Sequence, residues 1–150
     1  AALIMTVNNI ESLGLKNTQG LLMSEPWYWD QSAASRAFAQ RYFAKIKRMP
    51  NSNQAADYSA TWNYLKAVQA AGTDNPDKVM EQLRKLKSDD MDAKGTIRPD
   101  GQMIHDFYLY EVKKPAESKK PWDYLKQVAT VPGDQAFAPL SASTCALLKK

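Results

Sequence analysis

Apolar and polar positions follow two rhythms along this chain, and the switch between them divides it. Short apolar runs come first: Ala2 to Val7, closed by Asn8-Asn9, and Gly20 to Ser24, closed by Pro26. Runs of that length between turn residues read as strands of a sheet covered on both faces. A four-residue rhythm follows. Ala34, Phe38, Tyr42 and Ile46 stripe a helix predicted from Gln31 to about Arg48, with Asp30 as its cap and Pro50 as its stop. Ala55, Tyr58, Trp62, Leu65 and Val68 stripe a second, from Gln54 to Ala71, with Asn53 as cap and Gly72 past its end. Asn75-Pro76-Asp77 opens a third, whose buried side is Val79, Met80, Leu83 and Leu86. After Asp89-Asp90 the period becomes strand-like. A hairpin from Gly95 to Ile104 turns at Pro99-Asp100-Gly101, where proline presets φ and glycine permits a positive φ. A strand from Gln102 to Lys113, a Lys/Pro link from Lys113 to Pro121, a strand from Tyr124 to Val131 and an irregular tail over 132–150 complete the order. Three amphipathic helices need a sheet to cover, and the early strands are expected to need parallel neighbours that this chain does not supply.

Composition narrows the class. At 150 residues the chain is long enough to bury about 70% of its unfolded surface. With 44% apolar and 24% charged residues it has a globular composition, neither disordered nor fibrous. No apolar run approaches the roughly 20 residues of a membrane-spanning helix. The sequence opens inside an apolar run with no basic leader, which leads us to expect a piece of something longer. The net charge of +4, from 20 basic and 16 acidic residues, resides largely in Lys113, Lys114, Lys119, Lys120 and Lys149-Lys150. No run interleaves basic and aromatic residues in a known RNA- or DNA-reading pattern, so these lysines read as a solvated link and tail, not as a nucleic-acid surface. The single Cys145 forbids an internal disulfide and a cysteine-pair metal site.

Candidate chemistry is sparse. His105 is the sole imidazole, and its neighbour Asp106 would point to the opposite face of a strand, so the two make no dyad. Cys145 has no histidine near it in sequence. No Walker loop, dinucleotide fingerprint, nucleophile elbow or paired-histidine motif occurs. Asp89-Asp90-Met91-Asp92 lacks the spacing and closing glutamate of a calcium loop. No catalytic residue, cofactor or metal site is therefore assigned. The aromatic cluster Trp27-Tyr28-Trp29 is different. Three rings at consecutive loop positions are not expected to share one core, which leaves at least one to grip an apolar or aromatic ligand.

The order of short motifs carries more. Ser12-Leu13-Gly14-Leu15, Gln19-Gly20-Leu21 and Trp27-Tyr28-Trp29-Asp30 precede a helix with Arg36 and Phe38. Tyr58-Ser59-Ala60, Tyr64-Leu65-Lys66-Ala67-Val68 and Gly95-Thr96-Ile97-Arg98 with Asp100-Gly101 follow. Lys113-Lys114-Pro115, Trp122-Asp123-Tyr124 and Pro132-Gly133-Asp134-Gln135-Ala136-Phe137 close the series. In this order and spacing the chain resembles the C-terminal portion of type I periplasmic solute-binding proteins, in the branch serving branched-chain amino-acid-type ABC transporters.

That resemblance implies an α/β fold made of pieces of two Rossmann-like lobes that close on a ligand, with strands crossing the hinge. Residues 1–18 would end a C-terminal-lobe segment. Residues 19–104 would hold a hinge strand with the helices and hairpin of the N-terminal lobe, and 105–150 a hinge strand and the closing segment. The resemblance implies a periplasmic binding protein, not an enzyme, that captures a small carboxylate such as a branched-chain amino acid or an aromatic acid and presents it to a permease. A ligand-sensing receptor or regulatory domain of the same fold is the alternative. The cleft wall would be Tyr28, Trp29, Gln54, Ala55 and Tyr58, beside a helix N-terminus whose partial positive charge suits an anion. Other ligand-binding segments would lie upstream, and exposed strand edges are expected to drive self-association.

Overall fold

The computed structural model of the chain describes residues 4–92, 94–144 and 148. Ala2 and Leu3 of the expected first strand, Cys145 and the terminal Lys149-Lys150 lie outside the described residues. Where that strand was to end, the chain forms helix α1 (Val7–Leu13). Its buried residues, Val7 and Ile10, stand three apart, a helical spacing. The Asn9 side-chain oxygen Oδ1 accepts from the Thr6 amide at 2.9 Å and the Thr6 hydroxyl at 3.0 Å, which starts the helix. A single turn, α2 (Leu15–Thr18), leads to strand β1 (Leu22–Glu25).

Helix α3 (Ala33–Ile46) is shorter than predicted, and Ser32, not Asp30, is its cap, accepting from the Ser35 amide at 3.0 Å. Its buried residues are Ser35, Phe38 and Ala39, so the stripe is turned from the expected one and Ile46 is exposed. Helix α4 (Ser52–Ala71) starts early because Asn51, not Asn53, caps it. The Asn51 side chain accepts from the amides of Asn53 and Gln54, while the Gln54 side chain accepts from the Asn51 amide at 2.8 Å. Gly72, at φ 64°, ends it as expected. Helix α5 (Pro76–Lys85) is capped by Asn75 and has proline in its first turn.

Strand β2 (Lys87–Asp89) carries no apolar signal and went unpredicted. It pairs antiparallel with β3 (Lys94–Ile97), which pairs with β4 (Met103–Ile104) around the expected turn. A methyl group at Gly95 would sit 1.9 Å from the Ile104 carbonyl oxygen, so only glycine lets these strands meet. His105 and Asp106 interrupt the long strand predicted from Gln102, which resumes as β5 (Phe107–Val112). Strand β6 (Leu125–Val131) and a turn of helix, α6 (Gly133–Ala136), follow.

The larger sheet has the order β1-β5-β6, and both pairings are antiparallel. The early strand β1 has an antiparallel neighbour, β5, within the chain, and among the described residues its other edge has no strand partner. One face of this sheet, with Met23, Tyr110, Val112 and Leu125, joins Val7, Ile10, Phe38, Ala39 and Ala55 in the main core. The opposite face leaves Leu22 and Val128 exposed.

Candidate functional site

The loop after β1 is where aromatic side chains converge. Trp27, Tyr28 and Trp29 are all buried, at 2%, 5% and 5% exposure, so the three rings do share one core. Each polar edge has a partner, which is what allows it. The Trp27 indole donates to the Met91 carbonyl at 2.7 Å. The Tyr28 hydroxyl, at 2.6 Å, and the Trp29 indole, at 2.9 Å, both donate to the carbonyl of Trp122. The Tyr28 oxygen in turn accepts from the Tyr124 amide at 3.1 Å. Burial raises the Tyr28 hydroxyl pKa above its ordinary value and keeps it a donor.

Trp122 holds φ at +69°, a conformation unusual for a bulky residue, and that turns its carbonyl toward the loop. Next to it, the buried Asp123 accepts from the Lys113 ammonium and from the Lys119 amide at 3.0 Å. Burial works against its charge, but those bonds outweigh it and hold the carboxyl below its usual range. Lys120 reaches Asp30 at 2.9 Å and lies 4.9 Å over the Trp29 ring, while Arg36 meets Asp30 at 3.2 Å. Asp30, expected as a cap, is instead the outer tie between loop and link.

The other residues named from sequence are placed separately. Gln54 is exposed and engaged in capping α4. Ala55 is fully buried among the core residues. Tyr58 is 43% exposed, its ring 5.0 Å from Phe38 and beneath Arg41. Tyr28, Trp29 and Ala55 are thus brought into one core, while Gln54 and Tyr58 stay on the surface of α4.

At the start of α4 lies a hollow of about 280 Å³, bordered by Met5, Thr6, Met23, Glu25, Ser52 and Asn53. Glu25 was not anticipated, although it shares the inward face of β1 with Met23 and could have been found by alternation. It is 8% exposed. Burial raises its pKa, and a hydrogen bond with Ser52 partly offsets that shift. The positive end of α4 is therefore already met by Asn51 and Glu25. With the Asn53 and Gln54 amides engaged by Asn51, the group that the hollow presents is the Glu25 carboxyl, which suits an ammonium group. Elsewhere, Asp106 accepts from the Gly133 amide at 2.9 Å and the His105 ring bonds the Asp106 carbonyl, so the two side chains hold backbone and not each other. Among the described residues no three His, Cys, Asp or Glu side chains cluster to hold a metal, and no helix is long and apolar enough to cross a membrane.

Known proteins supply the class. The sequence profile of the periplasmic binding protein family matches residues 1–120, and the chain belongs to that family. The crystal structure of a periplasmic binding protein from Burkholderia mallei is 62% identical, with a TM-score of 0.95 over 98% of this chain and 39% of its own. A branched-chain amino acid ABC transporter periplasmic ligand-binding protein from Burkholderia xenovorans LB400 is 44% identical, with a TM-score of 0.91 over 95% of this chain and 38% of its own. A solute-binding protein from Rhodopseudomonas palustris BisB5, solved with 3,4-dihydroxybenzoic acid, shares the fold at 15% identity, with a TM-score of 0.74 over 86% of this chain and 35% of its own. The fold is that of part of a type I periplasmic binding protein, and the chain spans under two-fifths of these relatives' length. No curated protein matches the chain.

Proposed function

We propose that the chain works as part of a periplasmic solute-binding protein that captures a small carboxylate, an amino acid before an aromatic acid, for an ABC-transporter permease. The observation that carries this reading is the likeness to the Burkholderia xenovorans ligand-binding protein, at 44% identity over 95% of the chain. The hollow at the start of α4 supports the choice of an amino acid. The Glu25 carboxyl suits the ammonium group that an amino acid carries and a simple aromatic acid lacks. In this reading residues 1–18 and 105–150 belong with one lobe and its hinge strand, and 19–104 with the other. Tyr28 and Trp29 brace the crossing loop from behind. Gln54 and Ala55 fix the first turn of α4 against the cleft, and Tyr58 stands one turn further along.

The test is calorimetry with L-leucine, L-isoleucine and benzoate on residues 1–150 and on the full polypeptide containing them. We expect saturable binding of an amino acid by the full polypeptide, binding at least about tenfold weaker by residues 1–150, and a loss of about tenfold in Glu25→Gln. Equal, tight binding by both would show that the other lobe segments are not needed. Binding of benzoate alone, unaffected by Glu25→Gln, would overturn the amino-acid reading.

A further inference from the structure

A second cavity, apart from the cleft at Glu25, lies between α4, α5 and the small sheet. It measures about 350 Å³, within the range of small-molecule sites. Its walls are mainly hydrocarbon: Tyr64 and Ala60 from α4, Leu83 from α5 and Leu86 just past its end, Ile97 and Met103 from the hairpin. Polar groups gather at one end, and two neighbouring carboxylates there have different fates. Asp90 is built into the scaffold. One of its oxygens accepts from Ser59 at 2.7 Å, Asn63 at 3.0 Å and Ser88 at 3.4 Å, and the other accepts from the Asp92 amide at 2.9 Å.

The half-buried Asp92 carboxyl faces the cavity and has no hydrogen bond or ion pair among the described residues. Burial and then the charge of Asp90 push its pKa up to about 6, against a smaller pull from His105. The nearby cation Lys94 is paired with Asp89 at 3.3 Å. His105 sits at the rim with one ring nitrogen on the Asp106 carbonyl and its face on Phe107. An apolar chamber ending in an acid pair, with one carboxyl unengaged, repels an anion and complements a cation.

We propose that this cavity binds a small primary amine with a branched aliphatic or aromatic body, the ammonium paired with Asp92 and the body against Leu83, Leu86, Ile97 and Met103. The site is independent of solute capture. It is tested on the full polypeptide containing residues 1–150, with 3-methylbutylamine as the probe and 4-methylpentanoate as its anionic counterpart. Calorimetry at pH 7.5 measures affinity, and methyl resonances of Ile97 and Met103 locate it, which separates this cavity from the cleft at Glu25. We expect saturable amine binding with shifts at both methyls, weakened about tenfold or more in Asp92→Asn and lost in Ala60→Trp, which fills the chamber. The carboxylate should bind at least about tenfold more weakly than the amine. Comparable binding of the two probes, an unchanged affinity in Asp92→Asn, or silent Ile97 and Met103 methyls would overturn the proposal. The last result would also mean that another part of the polypeptide fills the chamber.

Discussion

Two aromatic regions of this molecule are treated in opposite ways. The loop from Trp27 to Asp30 buries every ring and satisfies every polar edge, with a carbonyl of the closing segment taking two of them. On α4, by contrast, Tyr58, Trp62 and Leu65 lie on one side of the helix and are 43%, 46% and 53% exposed. The residue types are alike; the difference is what stands opposite them. The loop faces the 113–124 segment across more than ninety residues of sequence, whereas that side of α4 is met at Tyr58 by Phe38 and Arg41 of α3 and is otherwise largely exposed. Aromatic content therefore marks a demand for burial, and the chain meets it at only one of the two places.

The largest effect should come from breaking the satisfied region at its centre. Trp27→Ala would remove a side chain at 2% exposure and leave the Met91 carbonyl without its donor. A loss of about 3–5 kcal/mol is expected in urea unfolding. A loss under about 1 kcal/mol would mean that the loop is not part of the core.

Next is the tie that holds the closing segment. Lys113→Ala would strip the buried Asp123 of its cation, at a cost of about 2–3 kcal/mol at neutral pH. Asp123 is held below its usual range in the folded state. Its contribution should therefore be present above the unfolded value of about 3.9 and fade as pH falls through the folded one. In Lys113→Ala that acid loss should shrink. A mutant as acid-sensitive as the parent would show that the pair does not set it.

Asp92 should behave in the opposite sense. Its folded pKa of about 6 lies above the unfolded value, so the folded state binds the proton more tightly. Stability should fall as pH rises from about 4 to about 6 and stay lower beyond. After discounting for solvent the change is about 1–2 kcal/mol. Asp92→Asn should abolish that slope in denaturant titrations at several pH values, and a surviving slope would assign it to another group.

The smallest effect on stability belongs to the uncovered face. Trp62→Ala should cost less than about 0.5 kcal/mol in residues 1–150 taken alone. Light scattering should nevertheless show those residues self-associating through this face and the strand edges β1 and β6, with Trp62→Ala reducing association. A compact monomer at micromolar concentration would contradict this.

Much of the layout was legible. Helices α4 and α5 carry polar caps and a glycine or proline at their ends, and the Pro99-Asp100-Gly101 turn follows from local dihedral preference. The misreadings share a cause. The apolar run before Asn8 resembles a strand by composition, but Val7 and Ile10 keep helical spacing and Thr6 with Asn9 start a helix. Asp30 and Ser32 are both capping types, and the choice fell to Ser32 because Arg36 and Lys120 engage the aspartate. The candidate cleft was only partly visible. Tyr28 and Trp29 were expected to line the cleft, but both rings are buried in the core, and nothing local announces that a carbonyl at Trp122 would receive both.

Local sequence determined which segments turn, cap and coil, because those choices depend on dihedral preferences and hydrogen bonds within a few residues. It also set the family likeness, which resides in the order of short motifs. Tertiary structure alone decided that three consecutive rings share a core, that β1 pairs antiparallel with β5, and that Glu25 lies beside the start of α4. Those outcomes depend on groups tens of residues apart meeting at contact distance, where desolvation of one side chain is offset by a partner that no local pattern can specify.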